Sequence, residues 1–140
     1  MRLTLDASVI VKWLVQDPKS EPDTDKASAV VKRIVDGLDA ILQPPHWLAE
    51  VAVVLARLSP KSAPDDVEML AALELPIAAE PTILRRATIL AVKSGQHVFD
   101  TYYHAVALES KGVLITADER YLSKVKGYGR IASLKAWTQG

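Results

Sequence analysis

Leu3-Thr4-Leu5-Asp6-Ala7-Ser8-Val9-Ile10-Val11-Lys12-Trp13-Leu14-Val15 changes its apolar period at a single residue. A short apolar run ends at Asp6, and from Ala7 onward the apolar side chains recur at helical spacing, which predicts a strand feeding a helix at once. Residues 16–23, with Pro18 and Pro22, break the pattern. Beyond the break Ala27, Val30, Val31, Ile34, Val35 and Leu38 share one helical face, with Thr24 placed to cap the helix and Gly37 near its end. Further strands are expected at 40–42, 75–78, 113–116 and 131–134, that at 75–78 being weakened by Pro76. Helices are expected at 44–58, where Pro44-Pro45 suits a first turn, and at 64–73, 81–94, 100–111 and 118–125, with Gly95 and Gly112 as stops. This alternation predicts an α/β fold with a mainly parallel sheet of about five strands, helices on both faces and right-handed crossovers. Ligands in such folds sit at the carboxyl ends of the strands.

A chain of 140 residues fits one domain spanning 1–140, given the usual ~100–200 residues per domain. Hydrophobic residues at 49% and charged residues at 24% describe a globular protein and exclude disordered and collagen-like classes. The absence of Cys removes disulfides, thiolate metal sites and Cys nucleophiles, so a bound metal must be held by oxygen or imidazole. Seventeen basic and seventeen acidic residues cancel, which alone argues against a general nucleic-acid binder. The zero is unevenly composed: residues 1–118 carry 12 Lys and Arg against 16 Asp and Glu, while 119–140 carry five basic residues against Glu119, giving −4 and +4. No apolar run approaches the ~18 residues of a membrane span and the first residues lack an export signal, so a cytoplasmic location is expected.

Four carboxylates stand where solvent exposure alone does not explain them. Asp6 ends the first strand and Asp118 follows the fourth, both at the edge where α/β proteins place their chemistry. Either can also cap the helix that follows it. Glu50 interrupts Trp47-Leu48-Ala49-Glu50-Val51-Ala52-Val53-Val54, with Trp47 and Val54 as its helical neighbours, so it is expected to be partly buried. A buried carboxylate must be protonated, salt-bridged or bound to a cation. Asp100 opens a helix, where N-capping is the simpler role. Brought together at one sheet edge, four acids would repel one another. Mg²⁺ or Mn²⁺ makes such a cluster reasonable, because these ions take oxygen ligands, keep waters and accept a substrate phosphate. That chemistry suits phosphodiester hydrolysis, with one or two ions.

The segments Asp6-Ala7-Ser8-Val9-Ile10-Val11-Lys12-Trp13, Pro45-His46-Trp47-Leu48-Ala49-Glu50-Val51, Phe99-Asp100-Thr101-Tyr102-Tyr103-His104-Ala105 and Leu114-Ile115-Thr116-Ala117-Asp118-Glu119-Arg120-Tyr121-Leu122 occur in this order along the chain. Together they resemble the PIN-domain nucleases, and among these the VapC-type toxins of toxin-antitoxin pairs. The resemblance implies a three-layer α/β/α fold, Mg²⁺- or Mn²⁺-dependent endonuclease activity on RNA, a homodimer, and inhibition by a small cognate antitoxin. It places the family's metal-binding and catalytic acids on Asp6, Glu50, Asp100 and Asp118. It further places supporting hydroxyls on Thr116, suited to orienting a water or a carboxylate, and on Ser8. Glu119 is a possible extra acid whose adjacency to Asp118 does not fix its direction.

Other residues read more plainly. His104 lies four residues after Asp100 on the same helical face, where a core role outweighs contact with a phosphate. His46 and His97 show no metal-ligand spacing, and no Gly-rich phosphate loop, G-x-S-x-G elbow or H-E-x-x-H occurs. Aspartyl phosphotransfer is disfavoured because Ser8 stands where a second Asp would be required. Two alternatives remain open: an RNA-processing PIN nuclease outside a toxin-antitoxin system, and a non-catalytic module whose acidic groove holds a basic peptide.

Overall fold

The computed structural model describes residues 1–15 and 22–137. The elements run β1 (Arg2–Leu5), α1 (Ala7–Leu14), α2 (Thr24–Val35), β2 (Ala40–Ile41), α3 (Trp47–Leu58), α4 (Ala63–Ala72), α5 (Pro81–Ser94), α6 (Val98–Ser110), β3 (Val113–Thr116), α7 (Glu119–Val125) and β4 (Ile131–Ser133), with a 3₁₀ turn at Lys126–Tyr128. Most of the break expected at 16–23 lies outside the described residues.

The strands form a parallel sheet of order β2-β1-β3-β4 flanked by helices, as expected. β1 holds the centre, and Leu3, Thr4 and Leu5 are all buried, the continuous burial of a parallel strand covered on both faces. Leu3 pairs with Ile41 on one side and Val113 on the other. A fifth strand is present only as a single parallel bridge between Gln43 and Ile77. Gln43 donates its N–H to the Pro76 carbonyl and accepts from Ala78 N. Proline at 76 has no N–H to extend the ladder, which holds the pairing to that one bridge.

Gln43 also joins the sheet with its side chain. Its Oε1 accepts from Leu5 N at 2.8 Å and its Nε2 donates to Leu5 O at 2.9 Å. The fully buried amide thereby replaces the strand neighbour that β2 no longer supplies at Leu5. This satisfies two buried backbone groups immediately before Asp6, each costly to leave unpaired.

The main core joins the sheet to α1, α2, α3, α4, α6 and α7, with Val9, Val51, Leu55, Tyr103 and Leu114 fully buried or nearly so. A second cluster packs α5 on α6 through Ile83, Ala87, Leu90, Tyr102 and Val106. Residues 101–107 of α6 are therefore buried on every side, and truncating Leu55 or Leu114 to Ala in the main core would cost about 2–5 kcal/mol.

Two details differ from the sequence expectation. Asp23 rather than Thr24 precedes α2, in a left-handed conformation and without a side-chain cap. α6 ends at Ser110 with Lys111 in the left-handed position, and Gly112 matters because a Cβ there would lie 2.7 Å from the Arg2 carbonyl oxygen. The basic residues after 118 fall on the expected helix and strand region, Arg120 and Lys124 in α7, Lys126 in the 3₁₀ turn and Arg130 and Lys135 on either side of β4, and Arg130 donates to the carbonyls of Lys111 and Gly112.

Candidate active site

Four helix starts meet at the carboxyl end of the sheet. Asp6 leaves β1 as the N-cap of α1, and Asp118 follows β3 as the N-cap of α7. Glu50 lies in the first turn of α3 and Asp100 in the first turn of α6. All four side chains line one cavity of about 660 Å³. The positive ends of helices favour anionic groups, so the fold itself offsets part of the repulsion within this set.

Asp6 is the most constrained of the four. Its Oδ2 accepts from Ser8 N at 3.1 Å and from Ser8 Oγ at 2.5 Å. Ser8 Oγ in turn accepts from Ala117 N at 3.1 Å, so one hydroxyl ties the end of β1 to the loop after β3. Burial pushes the Asp6 carboxyl up to about 6, the Ser8 hydrogen bonds oppose the rise, and the Asp100 and Asp118 carboxylates add to it.

Glu50 is half-buried, with a side chain 26% exposed. Burial raises it to about 7, and repulsion from Asp6 and Asp100 adds to the rise. Tyr103 offsets part of this, although its buried hydroxyl makes no hydrogen bond of good geometry among the described residues. Asp100 is raised by burial and then by Asp118, with His97 opposing. Among the described residues none of the four is ion-paired with Lys or Arg.

The bland alternatives divide. Capping is real for Asp6 and for Asp118, whose Oδ1 accepts from Tyr121 N at 2.9 Å. It does not hold for Asp100, because α6 starts two residues earlier and His97 is its N-cap. A structural salt bridge does not account for Glu50 either. Its nearest basic group among the described residues is His46 Nε2 at 3.7 Å, and burial holds that imidazole below its usual pKa, which weakens it as a counter-ion.

Thr116 is buried, and its Oγ1 accepts from Asp118 N at 3.0 Å, so it shapes the loop that presents Asp118. Glu119 accepts a hydrogen bond from Ser133 Oγ on β4 and does not line the cavity. His104 is fully buried, with Nε2 2.7 Å from the Gly129 carbonyl and Nδ1 3.4 Å from the Tyr121 hydroxyl, which makes it a core histidine.

Sequence reasoning passed over His46. Its Nε2 lies 2.8 Å from the Phe99 carbonyl, which can only accept, so that nitrogen carries the proton. The bond links the residue before α3 to the first turn of α6, and hence the segment bearing Glu50 to the segment bearing Asp100. No spacing rule could have found it, because the partners are 53 residues apart.

The donor set suits a hard divalent ion: all-oxygen, without Lys or Arg partners among the described residues, and with Asp6, Glu50 and Asp100 raised by burial and by neighbouring carboxylates. Among the described residues, no three His, Asp or Glu side chains are drawn together as a ready-made cage. A cation would complete the site by pulling in carboxylates that repel one another without it.

The PIN domain family's sequence model matches residues 3–128 of the chain. No curated protein matches it.

Proposed function

The chain belongs to the PIN domain family, whose members are in general metal-dependent nucleases, and we propose that it is a single-domain Mg²⁺- or Mn²⁺-dependent endoribonuclease. We further infer that it acts in the cytoplasm as a homodimeric toxin restrained by a small cognate antitoxin. The observation that carries the nuclease reading is the convergence of Asp6, Glu50, Asp100 and Asp118 on one cavity from four separate segments. The toxin reading rests on the four VapC-like segments. Among the described residues no helix is long and apolar enough to cross a membrane.

In this reading Asp6, Glu50, Asp100 and Asp118 would hold the ion. Once bound, a divalent ion supplies Lewis-acid activation of a water and of the scissile phosphate. The chain supplies alignment. Ser8 fixes the Asp6 carboxylate and the Ala117 backbone together, Thr116 sets the Asp118 loop, and His46 couples the openings of α3 and α6. The four helix starts give a phosphate a favourable partial charge to approach.

The test is cleavage of matched single-stranded RNA and DNA by purified protein with and without Mg²⁺ or Mn²⁺. RNA cleavage that needs the metal is expected. Asp100→Asn should slow it by about a thousandfold or more, the several kcal/mol that metal-held charge contributes in the transition state. Undiminished cleavage by that variant would remove Asp100 from the site, and equal cutting of DNA would remove the RNA assignment. Relief of growth inhibition by co-expressing the neighbouring reading frame tests the toxin role.

A further inference from the structure

The cavity has an aromatic rim to which the reading above gives no task. Phe99 is the chain's single phenylalanine, sits immediately before Asp100, and lines the cavity while 62% exposed. The exposed ring leaves apolar surface available beside the carboxylates. The ring is also supported. It stacks on His46 with centroids 5.0 Å apart and planes 24° from parallel. His46 packs in turn against Tyr102 at 5.2 Å and 28°, and against the edge of Tyr103 at 4.9 Å.

The backbone beneath the ring is fixed by the 2.8 Å contact between His46 Nε2 and the Phe99 carbonyl. A column of rings therefore rises from the buried part of α6 and ends in an open aromatic face one residue from a proposed metal ligand. Val53 and Val54 on α3 line the same cavity, and Val53 is 73% exposed, so the cavity offers apolar surface as well as carboxylates. A nucleotide presents the same division, an anionic phosphate beside a flat apolar base.

Resting on the nuclease reading, we propose that Phe99, backed by His46, is a stacking platform for the nucleobase flanking the scissile phosphate of a single-stranded nucleic acid. Every base offers a π face, so the platform is tolerant of sequence. It discriminates by strandedness, because a base paired and stacked within a duplex cannot turn onto the ring. Phe99 is thus a specificity residue that touches substrate, while His46 positions it.

Two measurements test this on the full chain. The first is equilibrium binding of a labelled single-stranded RNA in Mg²⁺, followed by anisotropy with a substrate analogue that resists cleavage. Phe99→Ala and Phe99→Leu should each weaken binding roughly 5- to 100-fold, the range of base–aromatic stacking, and Phe99→Trp should restore it. The second is steady-state cleavage, in which Phe99→Ala should raise KM by the same factor with kcat within about twofold, the signature of lost uniform binding. An RNA with one abasic nucleotide beside the cut should bring the wild type down to the level of Phe99→Ala and leave that variant unchanged.

Unaltered RNA binding by Phe99→Ala overturns the platform even if cleavage occurs. Absence of cleavage by the wild type overturns the nuclease reading, and the binding measurement still decides the platform. If Phe99→Ala changes only the sedimentation of the protein, the ring is a protein contact and the proposal is wrong.

Discussion

Asp39 and Asp6 are both withdrawn from solvent and lie at opposite ends of the same parallel strands, yet their surroundings act on them in opposite directions. Asp39, just before β2, is 5% exposed and is held by Arg33 Nε at 2.8 Å and by the N-terminal ammonium at 3.3 Å. The Arg33 hydrogen bond outweighs burial and holds its carboxyl below the usual range. Asp6, just after β1, has serine for a partner and carboxylates for neighbours, and its pKa rises to about 6. A buried acid that arrives with its counter-ion belongs to the fold. One that arrives among other acids is incomplete, and the missing component is positive.

The widest separation between these ends is expected in the pH dependence of stability without metal. Asp6, raised from 3.8 to about 6, and Glu50, raised from 4.5 to about 7, favour the folded state when protonated. That advantage is complete below the unfolded values and is lost as pH rises through the folded ones. His46 and His104, held neutral by burial, slope the other way below their unfolded value. The clean quantity is therefore a difference: metal-free Asp6→Asn should match the wild type near pH 3 and exceed it by up to about 3 kcal/mol at pH 7 in urea unfolding. Saturating Mn²⁺ should stabilise the wild type and not the variant. A variant no more stable than wild type at pH 7 would mean that Asp6 is not held against its charge.

At the other end the sign reverses. Asp39→Asn should cost about 1–3 kcal/mol at pH 7, the range for hydrogen bonds to charged groups, and leave cleavage rates alone. Its contribution is present above the unfolded pKa and lost as pH falls through the depressed folded value, so the cost should shrink in acid. Loss of activity in this variant would break the division between the two ends. The smallest effect is expected at Ser8→Ala, which removes the hydroxyl bridging Asp6 and Ala117 N. By analogy with outer-shell partners of metal ligands, it should lower metal affinity about 10-fold, read as a shifted Mn²⁺ midpoint in the same unfolding assay.

Much of this was legible in the chain because it is local. The change of period at Asp6, the lone acid in the apolar run around Glu50, and the Asp after the strand at 113–116 each place a carboxylate from a few neighbouring residues. What stayed hidden depends on distant partners. Gln43 reads as an ordinary polar residue before two prolines, and its burial follows from Leu5, 38 residues away. His46 acquires its role from Phe99, and the strand expected at 75–78 shrinks to one bridge at Gln43, where Pro76 has no N–H to extend it. The sequence places Asp100 at the helix start, two residues late, because Val98 and Phe99 carry no signal that the helix has already begun.

The Gln43 splice sets an order of events. Leu5 N–H is protected by a side-chain oxygen, so in hydrogen–deuterium exchange its lifetime reports whether residue 43 is docked. The residue next in sequence is Asp6, whose own N–H is held by the Ile115 carbonyl. Any excursion that withdraws Gln43 exposes the Leu5 amide and loosens the end of β1 on one side while β3 still holds the other. The seat of the cavity's first acid is thus shared between a side chain at residue 43 and a backbone carbonyl at residue 115.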